Sequence, residues 1–476
     1  MRIDRHPILS FNRGRAVEFT FDGRPIPAFE SETIAAALHD AGIMVLSHSL
    51  RNRRPRGFFC AIGKCSSCMA EVNGVPNVKT CMVLVENGMA VRSQAGWGGL
   101  SPSDRRIAQP LQELPTIQAD IAVVGAGPAG LSAAQAASEF GAEVAVFDEN
   151  TQMGGQLVKQ THMFFGSKAQ YASVRGVDIA PKLISHMGRG VKLYPETQVV
   201  GYYAPSQLAV VHRRKLHRVK AKKIIVATGA SENMLAFPNN DLPGVYGAGA
   251  VQTLMNEYGI LPGKRALMVG AGNIGVIVAY QMLQAGVEVA AVVEAAPKIG
   301  AYQVHASKIR RCGVPILTRH TVLEVRGKDR VECAVVVKVD ECWEPVPGTE
   351  TEYPVDMVCL SVGLRPTAEL LDQMGCSMAN IPELGGEVPF RNAWMETSVE
   401  GVYVAGDASG IDEASSAMLE GRLAGLDAVE KLKGPSEAVR TLKDETVRQL
   451  RELRAGPFGE DIRTGERKLA EQGEAG

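Results

Sequence analysis

Four cysteines near the N-terminus have the residue type and spacing of a metal–sulfur site. Cys60, Cys65 and Cys68 lie within nine residues, and Cys81 follows a segment with Asn73-Gly74, a dipeptide that favours a tight hairpin. Such a hairpin brings the fourth thiol back to the other three. Four thiolates in this arrangement can surround two irons, so the pattern C-x4-C-x2-C-x12-C predicts a [2Fe–2S] cluster.

Zinc and disulfides are the alternatives for these thiols. Structural zinc sites usually take two short Cys-x2-Cys pairs, whereas this chain has one triplet and an outlier. Disulfides belong to oxidising compartments, and the opening MRIDRHPILSFNRG lacks the apolar core of a secretory signal. The first three cysteines follow the spacing of plant-type ferredoxins. Gly63, Ser66 and Ser67 are small enough for the backbone to wrap closely and aim N–H groups at sulfur.

The composition indicates an ordinary globular protein. A chain of 476 residues predicts about two to four domains. The formal net charge of −1 gives no reason to expect nucleic acid or an anionic membrane as a partner. No apolar run reaches the ~18 residues of a membrane-spanning helix, so we expect a cytoplasmic protein that is peripheral to the inner membrane only through a partner. The basic run from Arg51 to Arg56 is interpreted as a solvated loop, with phosphate or partner docking as the alternative.

The segment around the cysteines has the element order of a small β-grasp domain. Alternating AVEFTF, a turn at Asp22-Gly23 and an amphipathic ETIAAALHDAGI precede the cysteine loop, and the hairpin and a strand-like MAVRSQ follow it. We therefore predict a ferredoxin-like [2Fe–2S] domain over residues 1–105. Glycine, proline, serine and charge then mark a linker at 106–117.

A dinucleotide-binding pattern follows the linker in DIAVVGAGPAGLSAAQAASEFGAEVAVFDEN. An apolar strand runs into a glycine-rich turn and an alanine-rich helix, and a second strand ends on two acids. The residues concerned are Gly125, Gly127, Pro128, Ala129, Gly130, Asp148 and Glu149. The three glycines allow the tight turn, the approach of a pyrophosphate and close helix packing, and Asp148 is placed to bind a ribose hydroxyl. The alternative is a glycine turn of a plain α/β protein.

The pattern repeats in KRALMVGAGNIGVIVAYQMLQAGVEVAAVVEA, with Gly270, Gly272, Gly275 and Glu294. Internal duplication explains this better than coincidence. A carboxylate at the strand end favours NAD over NADP, because it would repel a 2′-phosphate. A Rossmann unit can also keep its glycines for packing alone, so both an empty site and one holding NAD or another adenine nucleotide stay open.

Three further motifs favour a flavin site. Gly155-Gln156 and the turn Thr228-Gly229 allow the backbone to pass close to a flat or phosphorylated ligand. Near the end, a buried strand precedes Gly406-Asp407, whose carboxylate can accept a hydrogen bond from a ribityl chain or cap the next helix. Residues 433–476 are interpreted as a charged helix and a polar tail.

These motifs together resemble the two-dinucleotide-binding-domain flavoproteins, the thioredoxin-reductase and glutathione-reductase-like superfamily. The resemblance implies an α/β fold with FAD in an outer domain, residues 118–240 and 364–432, and an NAD-like Rossmann domain inserted at 241–363. No cysteine pair stands where the disulfide reductases of that superfamily keep one. We therefore do not expect disulfide reduction.

The N-terminal segments RPRGFFCAIGKCSSC, VNGVPNVKTC and ENGMAVRSQ resemble the [2Fe–2S] module of hydrogen cyanide synthase, opine oxidase and D-hydroxyproline dehydrogenase. The fused arrangement is similar to the N-terminal half of the α subunit of sarcosine oxidase and to dye-linked proline dehydrogenase. This implies a hetero-oligomer in which an FAD-dependent β subunit oxidises the amine or amino acid, with FMN between subunits and a downstream electron acceptor. No catalytic residue is predicted in this chain.

Three hypotheses result. The first is an electron-transferring FAD and [2Fe–2S] subunit of a heteromeric oxidoreductase that acts on a C–N bond of proline, hydroxyproline, sarcosine or an opine. The second is a self-contained NADH-dependent electron transferase. The third is a scaffold subunit that holds a redox-inactive nucleotide.

Overall fold

The computed structural model describes residues 1–96, 98–99, 113–164, 167–203, 205–212 and 215–475. The chain divides into unit 1, Met1–Gln109 with Glu232–Gly363, and unit 2, Pro110–Ser231 with Leu364–Gly476. Most of the predicted linker at 106–117 lies outside the described residues.

Unit 1 begins with the β-grasp arrangement that the sequence predicts. Its sheet has the order β2-β1-β7-β3-β4, and β5 pairs with β6 and β7. Asn73 and Gly74 have φ values of 50° and 79°, which is the left-handed backbone of a tight hairpin turn. The elements are β1 Ala16–Phe21, β2 Arg24–Phe29, α1 Ile34–Asp40, β3 Ser47–His48, β4 Pro55–Arg56, β5 Met69–Val72, β6 Val75–Lys79 and β7 Ala90–Ala95.

Unit 2 begins with a parallel sheet that continues into an antiparallel excursion. The order is β10-β9-β8-β13-β12-β11, with parallel pairing from β10 to β13 and antiparallel pairing from there to β11. Helix α2 starts at a proline in its first turn and is rich in alanine, both of which favour a helix. The elements are β8 Thr116–Val124, α2 Pro128–Glu139, β9 Val144–Phe147, α3 Gly176–Ser185, β10 Val191–Tyr194, β11 Thr197–Tyr203, β12 Gln207–His212 and β13 Lys215–Val226.

The chain then forms the second Rossmann-like sheet, in unit 1. Its strands pair in parallel in the order β15-β22-β16-β17-β18, beside a separate antiparallel sheet β19-β20-β21. The elements are β14 Ala230–Glu232, β15 Val245–Gly247, α4 Ala248–Gln252, β16 Arg265–Val269, α5 Asn273–Ala285, β17 Glu288–Glu294, α6 Gln303–Arg311, β18 Ile316–Thr318, β19 His320–Arg326, β20 Cys333–Lys338, β21 Thr351–Tyr353 and β22 Met357–Leu360.

One hydrophobic core joins the β-grasp fold to this second Rossmann fold. Helix α1 is buried along its apolar residues and shares a core cluster with α4, β16 and α5. His39 lies 2% exposed in this core, where its Nε2 is 3.2 Å from the carbonyl oxygen of Pro262. Burial lowers the pKa of His39 to about 4, so the imidazole is neutral at physiological pH.

The chain returns to unit 2 with β26 parallel to β13, and helices follow. The elements are β23 Leu364–Pro366, α7 Glu369–Gln373, β24 Met378–Ile381, β25 Gly386–Pro389, β26 Val402–Val404, α8 Ala414–Lys433, α9 Glu437–Arg454 and α10 Glu460–Ala475. The sequence predicts one terminal helix and a polar tail, whereas the structure has two helices. Helix α10 is ordered because Ile462 and Leu469, seven residues apart, pack in a core with Leu384 and Val388. Across the described residues, none of the helices combines the length and apolarity that crossing a membrane requires.

Candidate functional site

The structure brings the four predicted cluster ligands together in unit 1. Cys60, Cys68 and Cys81 are 7%, 2% and 5% exposed, whereas Cys65 is half-buried. The side chain and the N–H of Thr80 both donate to the carbonyl oxygen of Cys68, at 2.6 and 3.3 Å, which ties the returning strand to the cysteine loop. The half-buried Cys65 is therefore the ligand nearest to solvent.

The cysteine loop is shaped to surround sulfur. Ala61 and Ser66 have positive φ values of 57° and 58°, an uncommon backbone for residues with a side chain. The N–H of Cys65 donates to the Cys60 sulfur at 3.5 Å, and backbone N–H groups of Ser67 and Gly63 point at Cys65 and Cys81. Such N–H groups stabilise metal-bound thiolates.

The thiols interact in two pairs, Cys60 with Cys65 and Cys68 with Cys81. In each pair a hydrogen bond from one thiol lowers the pKa of the other, so Cys65 and Cys68 favour the thiolate form that binds metal. Within the described residues, no three His, Cys, Asp or Glu side chains converge on a single metal-ion position. Two adjacent pairs suit two irons with two thiolates each and favour the [2Fe–2S] interpretation over zinc.

The basic run beside this loop is only partly a solvated face. Arg51 and Arg53 are exposed, as the sequence predicts. Arg54 and Arg56, however, form ion pairs with Asp241, at 2.6 and 2.8 Å. These pairs anchor the hairpin to the second Rossmann fold of the same unit, a partner that no local pattern reveals.

The first glycine-rich turn forms a close-packed cradle in unit 2. A Cβ atom at Gly125 would overlap the carbonyl oxygen of Ala227, and one at Gly130 would overlap that of Gly125. At Gly127 no described heavy atom lies within 4 Å of such a Cβ, so the backbone there faces open space. Tight packing on both sides of an open glycine matches the roles that the sequence predicts. Pro128 and Ala129 begin α2 behind it, where the helix N-terminus favours a phosphate.

The acids at the end of β9 occupy different environments. Asp148 is buried, its Oδ2 accepts the N–H of Ala126 at 2.7 Å, and its Oδ1 accepts the N–H of Asn150 at 2.9 Å. Glu149, the next residue, is exposed. Asp148 thus braces the glycine turn, and its predicted ribose contact stays a prediction.

The remaining flavin motifs lie around the same cradle. Gly155 packs so closely on Gly127 that an added Cβ would lie 2.8 Å from its Cα, while Gln156 is exposed. The Thr228 hydroxyl donates to the carbonyl oxygen of Thr367 at 2.6 Å, and the carbonyl oxygen of Gly229 accepts the N–H of the same residue. The structure therefore gathers segments that are about 100 residues apart in the sequence.

Asp407 lies at the edge of this cradle. Gly406 contacts the first turn of α2, since a Cβ there would lie 2.9 Å from the Cβ of Ala129. Asp407 does not cap α8, because the N-cap of that helix is Glu413. Its Oδ1 accepts the N–H of Asp412 at 3.4 Å. Burial raises the pKa of Asp407 to about 7 although that N–H opposes the shift.

The second glycine-rich turn, in unit 1, repeats the geometry of the first. Cβ atoms at Gly270 and Gly275 would overlap the carbonyl oxygens of Ser361 and Gly270, and Gly272 has no described heavy atom within 4 Å of its own. Glu294 braces the turn as Asp148 does, with Oε2 2.8 Å from the N of Ala271. The duplication that the sequence predicts thus extends to hydrogen bonds, and the open face at Gly272 fits an adenine nucleotide.

Sequence reasoning missed the close packing of α8 on α2. A Cβ at Gly421 would overlap the carbonyl oxygen of Ala129, and one at Gly425 would overlap that of Ala133. Glycine costs about 1 kcal/mol in a helix interior, so two of them four residues apart are a signal of close helix approach. This packing fixes α8 against the helix that starts at the cradle.

Comparisons with known proteins agree with this geometry. Residues 119–421, more than half of the chain, match the pyridine nucleotide-disulphide oxidoreductase family. Residues 14–96 match the 2Fe-2S iron-sulfur cluster binding domain. The match to this domain confirms the [2Fe–2S] prediction for the N-terminal segment.

Several relatives are components of oxidases or synthases. The alpha subunit of sarcosine oxidase from Rhizobium meliloti is 26% identical over 92% of this chain and 48% of the relative, so the chain spans about half of that protein. The opine oxidase protein of Rhizobium meliloti that is named as its A component is 30% identical over 66% of this chain and 72% of the relative. The HcnB component of hydrogen cyanide synthase from Pseudomonas aeruginosa is 28% identical over 70% and 76%.

Solved structures share the fold. L-proline dehydrogenase from P. horikoshii has a TM-score of 0.71 at 24% identity and covers 94% of this chain and 79% of its own. Thioredoxin reductase of T. acidophilum has a TM-score of 0.55 at 23% identity and covers 66% of this chain and 99% of its own. The chain belongs to the pyridine nucleotide-disulphide oxidoreductase family, as a flavoprotein that also carries a [2Fe–2S] domain.

Proposed function

We propose that this chain is the electron-transferring FAD and [2Fe–2S] subunit of a heteromeric dehydrogenase or oxidase that acts on the C–N bond of a secondary amine or D-amino acid. The observation that carries the proposal is the presence in one chain of a paired four-thiol loop and a glycine cradle with Gly127 open to a ligand. The names of its relatives, which are those of components of larger enzymes, support the heteromeric assignment.

The residues supply position and electrostatics for the redox groups. A bound flavin exchanges two electrons with one partner and single electrons with another, which joins amine oxidation to a one-electron acceptor. In this proposal the glycine turn and α2 hold the FAD pyrophosphate, and Asp407 orients the ribityl chain. The four thiols hold the cluster, and Cys65 lies on the side from which electrons leave to the downstream acceptor.

Two measurements test the proposal. Metal, sulfide and flavin analysis of the purified chain should give two irons and one FAD. Co-expression with the neighbouring FAD-dependent oxidoreductase should give a stable complex, with FMN between the subunits, and faster amine-dependent dye reduction. A chain that stays monomeric and adds nothing to dye reduction contradicts the proposal.

The repeated geometry of the second cradle favours a second candidate function, NADH-dependent electron transfer. Gly272 presents the same open backbone as Gly127. Anaerobic addition of NADH to the isolated chain separates the candidates, because bleaching of the flavin absorbance supports electron entry at this cradle. Unbleached flavin together with NAD or another adenine nucleotide released on denaturation assigns the cradle to a redox-inactive, scaffolding nucleotide.

A further inference from the structure

Arg454 is a buried arginine at the end of α9, remote in sequence from every motif. Its side chain is 7% exposed. The guanidinium donates to three carboxylates, with Nη2 2.7 Å from Glu420 Oε1, Nε 2.9 Å from Asp412 Oδ2 and Nη1 2.7 Å from Glu466 Oε1. Charges with so little access to water are stable only when each is paired and hydrogen-bonded. The guanidinium therefore organises this cluster.

Two of these acids hold the segment of residues 406–412. Glu420 Oε2 accepts the N–H of Gly406 at 2.9 Å and the hydroxyl of Ser409 at 2.7 Å. Asp412 donates its own N–H to Asp407 at 3.4 Å. Arg454 therefore lies behind both ends of the segment that carries Asp407.

The same acids connect this segment to the cradle. Glu420 directly precedes Gly421, the glycine that packs on Ala129 at the start of α2. Burial alone would raise the pKa of Glu420, but the charges of Arg454 and Arg391 outweigh burial and lower it, so the carboxylate is ionised. A buried ionised carboxylate that loses its counter-ion is strongly destabilised.

We propose that Arg454 is a positioning residue of the flavin site. Acting through Glu420 and Asp412, it holds the segment 406–412 in the conformation that presents Asp407 to the ribityl chain. The inference rests on the proposed function, because it takes the first cradle as the FAD site.

Loss of the guanidinium would leave Glu420 with Arg391 as the neighbouring cation. The Nη1 of Arg391 is buried and has no hydrogen-bond partner among the described residues, and its charge only partly compensates that of Glu420. The segment then opens toward water to solvate the carboxylate. A methionine at position 454 keeps similar bulk without charge.

The test compares the full-length wild type with Arg454→Met, Arg454→Lys and Arg451→Ala. Arg451 is exposed on the same helix and serves as the matched control. Hydrogen–deuterium exchange of peptides over residues 405–412 should be about tenfold faster in Arg454→Met, and FAD affinity should fall by about tenfold, as expected when a buried pair is broken. Lysine should give an intermediate result, and the control should match the wild type.

A double variant separates charge pairing from simple loss of packing. Adding Glu420→Gln to Arg454→Met removes the uncompensated charge and should recover part of the exchange protection. If Arg454→Met does not fold, Arg454→Lys carries the same comparison, because it keeps the charge but loses the fork of donors.

The outcomes distinguish the two proposals. Unchanged exchange in Arg454→Met, or faster exchange with unchanged FAD affinity, overturns the positioning role alone. A wild-type chain that binds no FAD refutes the proposed function and, with it, the assignment of Arg454 to a flavin site.

Discussion

Two neighbouring glycines of the first cradle allow packing and ligand binding to be separated. A Cβ at Gly130 would overlap the carbonyl oxygen of Gly125, well inside the 3.0 Å that real Cβ atoms keep, whereas a Cβ at Gly127 meets no described atom within 4 Å. Alanine at either position adds one methyl group. The two substitutions therefore differ only in what that methyl group meets.

The expected cost of Gly130→Ala follows from this overlap. Overpacking against a rigid backbone carbonyl costs about 1–3 kcal/mol, and the better helix propensity of alanine returns about 1 kcal/mol. We expect a net loss of about 2 kcal/mol, near the upper end, because the carbonyl belongs to the turn itself. For a unit of this size each kcal/mol lowers Tm by about 2–4 °C, so Tm of the apo protein should fall by about 4–8 °C. Gly127→Ala should cost less than about 1 kcal/mol, the preference for glycine over alanine at an N-cap.

The assays are calorimetry of the apo chain and titration with FAD followed by flavin fluorescence. Gly127→Ala should lose at least about tenfold in FAD affinity, because the methyl group occupies the approach of the pyrophosphate. Gly456→Ala is the control, since it also adds a methyl group with no described atom within 4 Å. A Tm of Gly130→Ala within about 1 °C of the wild type would refute the packing argument. Wild-type FAD affinity in Gly127→Ala would show that the open face is not the phosphate site.

Three further predictions concern the other sites. In the second cradle, Gly272→Ala should remove bound adenine nucleotide while Gly275→Ala lowers Tm of unit 1, and unchanged nucleotide release from Gly272→Ala after denaturation would assign this cradle to packing alone. Cys65→Ser should spare FAD but abolish transfer to a one-electron acceptor, whereas Ser at the exposed Cys342 should change neither; surviving transfer would make the cluster structural. Because burial raises the pKa of Asp407 to about 7, above the ~3.9 of an unfolded chain, the stability that its proton contributes is lost as pH rises from about 4 to 7. Asp407→Asn should flatten the pH dependence of apo stability in that window and weaken FAD binding at neutral pH; a profile parallel to the wild type, measured by denaturant unfolding, would contradict this.

Local patterns in the sequence predict the redox domain and both cradles. The hairpin at Asn73-Gly74 and the glycine turns at Gly125 and Gly270 are backbone requirements that a few adjacent residues express. The cysteine spacing is equally local, apart from the hairpin that returns Cys81 to the other thiols. Fold class and cofactor type therefore follow from short stretches whose chemistry does not depend on distant partners.

The tertiary structure decides which charged residues are buried and what they hold. Arg454 lies in a helix that the sequence presents as a solvated, charged face, and its role depends on Glu420, 34 residues earlier. Asp241 anchors the basic run through Arg54, 187 residues away. Such pairs have no spacing rule, because their distance along the chain is set by the elements folded between them, and charge alone does not distinguish a solvated face from a buried partner. The sequence by itself therefore determines the sites that bind cofactors, and the packing of α8, α9 and the shared core determines how those sites are held.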